Sequence, residues 1–133
     1  MKTNQIFTIL TTVVLFSSCK KEEDGNPDLQ HSWKLIAVLA DPGDGSGTFQ
    51  AVSSDKTVSF FLDGTVSSNG SICTMGTEVG TGSTGTYSVA DSTINVDGCP
   101  VAHFPLTFEM QGANLILNYP CIEACREKYE PID

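Results

Sequence analysis

The sequence predicts an all-β domain: an eight-stranded antiparallel up-and-down barrel, or a half-open barrel. No segment after residue 30 repeats apolar residues at a 3.6-residue spacing over about eleven positions, as an amphipathic helix would. Short runs rich in Val, Ile, Phe and Thr recur instead, separated by Gly, Asp and Asn, which is typical of antiparallel strands joined by turns. Tight turns alternate with long loops, as in a barrel with one mouth. A sandwich built from the same strands is the alternative.

The first half of the domain contributes five of the predicted strands. Val58, Phe60 and Leu62 share one face of the second strand, and Asp63-Gly64 follows as a two-residue hairpin turn because both positions tolerate a positive φ. The fourth strand is centred on Tyr87 and Val89, and a turn at 91–92 leads into the fifth. These strands are predicted at residues 33–40, 56–62, 65–72, 82–90 and 93–96.

Three more strands are predicted, at residues 104–110, 115–119 and 126–132. A turn at 111–114 joins the first two of them, and Pro131 marks the end of the last. In two of these strands, every second residue is apolar, so the apolar side chains of each strand lie on one face. The first row of side chains is Phe104, Leu106, Phe108 and Met110, and the second is Leu115, Leu117 and Tyr119.

Simple meander connectivity assigns the connections to two ends of the domain. The tight turns at 63–64, 91–92 and 111–114 fall at one end, which we name the lower end. The longer stretches 41–55, 73–81, 97–103 and 120–125 fall at the opposite, upper end, together with four cysteines. Since the chain enters at the lower end, the loops and cysteines are predicted to point away from the N-terminal segment.

The first eighteen residues are typical of a secretory signal peptide. Lys2 precedes an apolar stretch from Ile6 to Phe16, and small residues lead into Cys19. The stretch is shorter than the roughly 20 residues that a membrane-spanning helix needs, so cleavage is predicted. The chain is therefore divided into a signal peptide (1–18), a charged tether (19–30) and a β domain (31–133).

Phe16-Ser17-Ser18-Cys19 resembles the lipobox of bacterial lipoproteins. This resemblance implies that Cys19 is acylated and that its acyl chains hold the protein on a lipid bilayer. Residues 20–27, which are charged and polar, are similar to the export signal of surface lipoproteins in Bacteroidota-type bacteria. The implied location is the cell envelope, on the surface of the outer membrane; a plain periplasmic spacer is the alternative.

The charge balance argues against nucleic-acid binding. Six of the seven basic residues and all sixteen acidic residues remain after residue 18, which gives the mature chain a formal charge of −10. Such a chain has little with which to neutralise phosphates, and an anionic lipid surface would repel it. Membrane attachment is therefore expected to come from the lipid.

Four cysteines remain once Cys19 is assigned to the lipid. An even number of cysteines in a small exported domain predicts disulfides. We favour the pairs Cys73–Cys99 and Cys121–Cys125, although four cysteines allow two other pairings. A Cys₄ zinc site is the alternative, but the spacing lacks two CxxC motifs.

A family resemblance rests on Trp33-Lys34-Leu35, the hairpin from Phe60 to Val66, Gly85-Thr86-Tyr87 and Leu115-Ile116-Leu117. Together these motifs resemble lipocalin-like domains of secreted lipoproteins, over roughly residues 31–131. The resemblance implies that Trp33 packs into the closed end of the barrel. It also implies an interior that could hold one small apolar or amphipathic ligand or be filled by side chains. The candidates for that interior are Phe60, Tyr87, Phe104, Leu106, Phe108, Leu117 and Tyr119.

Catalysis, cofactors and metals find little support in the sequence. His31 and His103 are the histidines, and neither belongs to a nucleophile motif such as G-x-S-x-G. The loop 41–47 offers two carboxylates but lacks the spacing of a calcium loop, so a flexible connection is expected. The Gly- and Thr-rich stretch 76–85 is expected to be a solvated, mobile loop.

Two functions remain open, both non-enzymatic. A continuous apolar cavity would favour binding of a small apolar ligand. A barrel filled by its own Phe and Tyr side chains would favour a surface module that binds a protein or a glycan.

Overall fold

The computed structural model describes residues 27–100 and 105–132, and this part of the chain forms one sheet of nine strands. A single 3-10 turn, Pro27–Leu29, precedes the strands. The strands are β1 (Ser32–Ala40), β2 (Gln50–Ala51), β3 (Thr57–Phe60), β4 (Thr65–Ser68), β5 (Ser83–Ser88), β6 (Thr93–Val96), β7 (Leu106–Gln111), β8 (Asn114–Tyr119) and β9 (Cys125–Ile132).

The sheet closes into an antiparallel barrel, which confirms the predicted fold. From β3 to β8, each strand pairs with the one that follows it in the chain. Strand β1 pairs with β3 on one side and with β9 on the other, which closes the barrel. The closing pair runs the length of both strands, from Ser32 opposite Ile132 to Ala40 opposite Cys125. Eight strands thus form the wall, and β2 is an additional short strand.

Strand β2 lies within the stretch 41–55, which the sequence predicted as a connection without a strand, and that prediction was wrong at Gln50 and Ala51. Gln50 and Ala51 pair with the upper half of β1, whereas β3 pairs with its lower half. Between them the N–H of Val52 donates to the carbonyl of Ile36, at 2.9 Å. Two residues are too short a strand to show an alternating pattern, so local sequence could not reveal it.

The turn after β3 also differs from the prediction. The N–H of Phe61 donates to the carbonyl of Thr65 and the N–H of Gly64 to the carbonyl of Phe61. Three residues therefore form the turn, with a positive φ of 82° at Gly64 alone. This is the three-residue hairpin with glycine in the left-handed position, not a two-residue primed turn. Leu62 consequently lies in the turn and is exposed rather than inward-facing.

The division into a lower and an upper end agrees with the strand order. The turns β3–β4, β5–β6 and β7–β8 lie at the lower end, together with the start of β1 and the end of β9. Both predicted disulfides, Cys73–Cys99 and Cys121–Cys125, are present at the upper end. In the part of the chain that is described, no helix is long and apolar enough to cross a membrane.

The core fills the inside of the barrel. Inward-facing residues alternate with outward-facing ones along each strand, as in the pattern of buried and half-buried positions of β1, β3 and β4. The buried apolar cluster is Leu29, Trp33, Leu35, Val58, Phe60, Val66, Ile72, Tyr87, Ile94, Leu106, Phe108, Leu115, Leu117, Tyr119 and Tyr129.

Candidate functional site

The barrel interior is occupied by its own side chains. The rings of Phe60, Tyr87 and Phe108 contact one another edge to face, with centroids 5.0, 5.8 and 6.5 Å apart. Leu117 has no exposed surface, and Tyr87 donates its hydroxyl to the carbonyl of Phe61 at 2.8 Å. Phe60, Tyr87 and Phe108, which were predicted to line a cavity, therefore pack on each other. Phe104, another predicted cavity residue, lies outside the described residues.

Trp33 lies at the lower, closed end. Its indole N–H donates to the carbonyl of Leu29 at 3.0 Å, and both side chains are almost completely buried. The 3-10 turn thus folds under the barrel and closes it. His31 contacts the Trp33 ring edge-on, at 5.9 Å between centroids, and is exposed at the same end.

A buried ion pair occupies the upper half of the interior, and sequence reasoning missed it. The ammonium of Lys56 lies 2.9 Å from Oε1 and 3.1 Å from Oε2 of Glu127, and neither side chain has any access to solvent. The third ammonium donor reaches the carbonyl of Gly76 at 2.8 Å. Lys56 therefore has a partner for each of its three N–H bonds.

The carboxylate of Glu127 accepts three further hydrogen bonds. The N–H of Gly76 lies 2.7 Å from Oε1, and the hydroxyls of Tyr119 and Tyr129 lie 2.6 and 2.5 Å from Oε2. No buried side-chain nitrogen or oxygen of the described residues lacks a partner. Every hydrogen-bonding group of the cluster thus has a partner within the protein, so the cluster acts first as a structural element.

The two tyrosines of this cluster are held neutral. Burial, and after it the charge of Glu127, raises the pKa of Tyr119 well above its usual value. Burial raises the pKa of Tyr129 in the same direction, followed by the effects of Tyr119 and of Glu127. Both phenols therefore remain hydrogen-bond donors to the carboxylate at any physiological pH.

One signal in the sequence could have indicated the ion pair. Lys56 has the same parity as Val58 and Phe60, and Glu127 has the same parity as Tyr129, so alternation places both charges inside. Two isolated charges of opposite sign at inward positions predict a buried pair. The missing information was which strands meet, because the two residues are 71 positions apart.

Residues 69–82, which we name the cover loop, extend across the upper mouth. Gly76 binds the ion pair through both its N–H and its carbonyl, and the hydroxyl of Ser54 donates to the carbonyl of Thr77 at 2.6 Å. Ile72 is buried, and Met75 packs against the core. The expectation of a solvated loop holds for residues 78–82 and was wrong for Gly76, because sequence alone did not show the buried charge that it caps.

The wall that the described residues form is open on one side of the upper half. β6 and β7 share only the pairs Thr93–Thr107 and Ile94–Leu106, and above them lies a cleft of about 370 Å³. Leu106 and Tyr119 are the two predicted cavity residues that line it, together with the disulfide Cys73–Cys99 and neighbouring residues of β6 and Pro105. The stretch 101–104, which lies outside the described residues, leads into Pro105.

The loop 41–47 is ordered by hydrogen bonds to one carboxylate. Asp41 accepts hydrogen bonds from the N–H groups of Gly43, Gly45 and Gly47 at 2.7, 3.0 and 2.8 Å. These bonds, that of Gly47 above all, lower the pKa of Asp41. A carboxylate that already faces three N–H donors is poorly placed to bind a cation, and no potential metal-binding group of three ligands occurs among the described residues.

The loops of the upper end are acidic, although Arg126 of β9 lies beside Ile122 and Glu123. The described loops 41–49, 69–82, 97–100 and 120–124 contain no lysine or arginine, but they contain five carboxylates. We name them the acidic rim: Asp41, Asp44, Glu78, Asp97 and Glu123. The side chain of Glu123 lies beside Gly43, and the N–H of Asp41 donates to the carbonyl of Ala124, so two of the loops are joined.

The Cys121–Cys125 disulfide presents Ile122 at this rim. The bridge closes a five-residue loop with a Cα–Cα distance of 5.9 Å, and Ile122 at its tip is fully exposed. The disulfide therefore holds one large apolar side chain on the surface of a short closed loop. His103, the remaining histidine of the sequence analysis, lies outside the described residues, as does Cys19.

The comparisons with known proteins yield no relative: no family model matches the chain, and neither a curated protein nor a solved structure matches it.

Proposed function

We propose that the protein is a lipid-anchored, non-enzymatic binding module of the cell envelope that contacts a protein partner through its upper end. The observation that carries this proposal is the filled interior. Phe60, Tyr87 and Phe108 pack on one another, and the Lys56–Glu127 pair occupies the remaining upper part. A ligand carrier would keep that space open.

The charge of the upper end defines the partner chemistry. Five carboxylates and no lysine or arginine in the described upper loops favour a partner with a basic surface, because complementary potentials speed encounter and select against acidic partners. Ile122 supplies an apolar contact at the tip of a constrained loop. The preferred partner is therefore a protein whose docking face combines Lys or Arg with an apolar recess; a glycan lacks that positive charge.

The rim is tested by neutralising it in the full chain. The variant Asp44→Asn/Glu78→Gln/Glu123→Gln removes three rim charges, and Asp91→Asn/Glu109→Gln/Glu130→Gln removes three exposed charges elsewhere. Each protein is cross-linked in envelopes of the producing cell, and the adducts are identified by mass spectrometry. We expect one adduct with a basic surface that the wild type and the control form and the rim variant does not.

Raising the salt concentration should weaken the same adduct, since exposed charges are screened within about 8 Å at physiological ionic strength. An adduct that persists unchanged in the rim variant would contradict the proposed docking face.

The anchor is tested separately. Cells grown with an alkyne-bearing fatty acid should label the wild-type chain, and Cys19→Ala should abolish both the label and co-sedimentation with membranes. Labelling that persists in Cys19→Ala would show that Cys19 is not the acylated residue.

A small ligand is the second candidate, and the cleft between β6 and β7 is the observation that favours it. Its volume of about 370 Å³ lies within the usual range of ligand pockets. Native mass spectrometry of the full chain released from membranes would find a co-purifying small molecule if this candidate is correct. Repeated absence of any such species would leave the protein partner as the better proposal.

A further inference from the structure

We propose that the lower end of the barrel rests on the bilayer, with the β3–β4 turn and the end of β7 inserted into its interfacial layer. The inference rests on the lipid anchor of the proposed function. It adds a second contact, made by side chains of the domain itself, and it fixes the direction in which the acidic rim points.

Three of the five exposed large apolar side chains of the described residues lie at the lower end, whereas Val79 and Ile122 lie in separate upper loops. Phe61 and Leu62 stand next to each other in the β3–β4 turn and are 47% and 56% exposed. Met110, before the β7–β8 turn, is 37% exposed. In the closed strand order these two turns lie on opposite sides of the barrel, so the apolar groups flank the lower face rather than cluster at one point.

The lower turns carry fewer charges than the upper loops: they contain two carboxylates, Asp63 and Asp91, and no lysine or arginine. A shallow cleft of about 390 Å³ at the lower end is lined by His31, Trp33, Met110, Gly112, Ala113 and Pro131, with Asp28. Asp63, in the β3–β4 turn, directs its carboxylate back onto Thr65, whose N–H and hydroxyl donate to it at 3.0 and 2.6 Å. The turn therefore presents Phe61 and Leu62 as its apolar contacts, beside the exposed carboxylate of Asp63.

The position of the chain entry identifies the bilayer as the occupant. The described chain begins at Pro27 beneath the barrel, and Cys19 is eight residues earlier. Even a fully extended segment of that length spans at most about 28 Å. An acylated Cys19 would therefore keep the lower face at or near the lipid surface, whereas the upper face, with five carboxylates, would point to solvent.

Tryptophan reporters in the full-length, acylated chain test this arrangement. Leu62→Trp and Met110→Trp place an indole at the two sides of the lower face, and Ile122→Trp is the matched control at the upper end. Each protein is reconstituted in phosphatidylcholine vesicles with or without brominated acyl chains, and flotation records anchoring. Indoles in the interfacial layer, about 5–10 Å deep, lie within reach of the bromines.

We expect several-fold stronger quenching of the introduced indole in Leu62→Trp and Met110→Trp than in Ile122→Trp, after subtraction of the Trp33 signal of the wild type. Quenching of either lower-end reporter alone supports contact by that side and guards against misfolding of one variant. If the vesicles float with the protein but Ile122→Trp is quenched as strongly, or no reporter is, the inference is overturned while the anchor stands. If the wild type does not float, anchor and inference fall together.

Discussion

At the scale of single residues, Lys56 and Glu127 place a charged pair inside the largely apolar barrel. Each is fully buried; Glu127 and the carbonyl of Gly76 satisfy every donor of the ammonium, and the carboxylate also accepts from two tyrosines and one backbone N–H. Removing two charges from water is costly, and the attraction between them repays that cost only when the remaining hydrogen bonds are made. The pair therefore fixes where β3, β9 and the cover loop meet, more than it adds net stability.

Replacing one member of the pair should be strongly destabilising. In Lys56→Met the carboxylate of Glu127 keeps its tyrosine and backbone donors but loses its counter-charge, and we expect a loss of about 3–5 kcal/mol in the free energy of unfolding. Urea denaturation followed by tryptophan fluorescence measures it. The double variant Lys56→Met/Glu127→Gln should be more stable than Lys56→Met, because the amide needs no counter-charge.

Lys34→Met is the matched control. Its ammonium lies 3.3 Å from Asp55, but both side chains are exposed to solvent. Such a surface pair is worth less than about 1 kcal/mol. Equal decreases in the free energy of unfolding for Lys34→Met and Lys56→Met would show that burial of the Lys56–Glu127 pair has no energetic consequence.

The tyrosines predict a stability change at alkaline pH. The chain has three, and burial is the first cause of the raised pKa of each: Tyr87, Tyr119 and Tyr129. The folded state keeps phenolic protons that the unfolded state releases above about pH 10. Their contribution to stability is thus complete below that pH and is lost as pH rises further.

Absorbance at 295 nm checks this directly. Tyr119 and Tyr129 should ionise only together with unfolding, whereas in denaturant all three should titrate near pH 10. Titration of all three near pH 10 while the near-ultraviolet circular dichroism stays native would contradict the buried cluster.

Among the elements, β5 has a position that requires glycine for close approach. A Cβ on Gly85 would lie 2.2 Å from the carbonyl oxygen of Asn95 on β6, which is backbone and cannot move aside cheaply. Gly85→Ala should therefore destabilise the barrel by about 1–3 kcal/mol. Gly80→Ala is the control, since no heavy atom lies within 4 Å of its Cβ and its φ is not positive. Thermal unfolding of both variants gives the comparison.

The two disulfides should differ in their contribution. Cys73–Cys99 spans 26 residues and joins the cover loop to the segment after β6, whereas Cys121–Cys125 spans four. Loop-closure entropy predicts that the corresponding double serine variants lose about 3.5 and about 2 kcal/mol in the free energy of unfolding. Denaturant unfolding of the two variants under identical conditions measures them; a larger loss for the short loop would argue against an entropic origin.

The strand order could be predicted because turn residues and alternation are local signals. Asp63-Gly64 and the Phe104 to Met110 pattern placed two strands within two residues of their observed limits. Contacts between distant segments could not be predicted in this way. Gly76 looks solvated in a Gly-rich loop, and only the contact between the side chains of Lys56 and Glu127 inside the barrel reveals the charge that it caps.

For the molecule as a whole, the two ends have different chemistry on one scaffold. The upper end displays five carboxylates and Ile122, and the lower end displays Phe61, Leu62 and Met110 with fewer charges in its turns. The barrel between them is filled, so it acts as a rigid spacer that holds the two surfaces apart. The proposed binding at one end and the proposed attachment at the other could then be altered independently by substitution.

The antiparallel pairing of β1 with β9 makes the domain suitable for circular permutation. Since Ser32 lies opposite Ile132, a short linker can join the two strands without disturbing the wall. New termini can be opened at Gly45, where the loop is exposed and a side chain would meet nothing within 4 Å. A lipid attached at that new N-terminus would hold the upper end of the same fold, instead of the lower end, near the bilayer. The direction in which the domain faces is therefore a property of the site of attachment and can be reversed without changing the barrel.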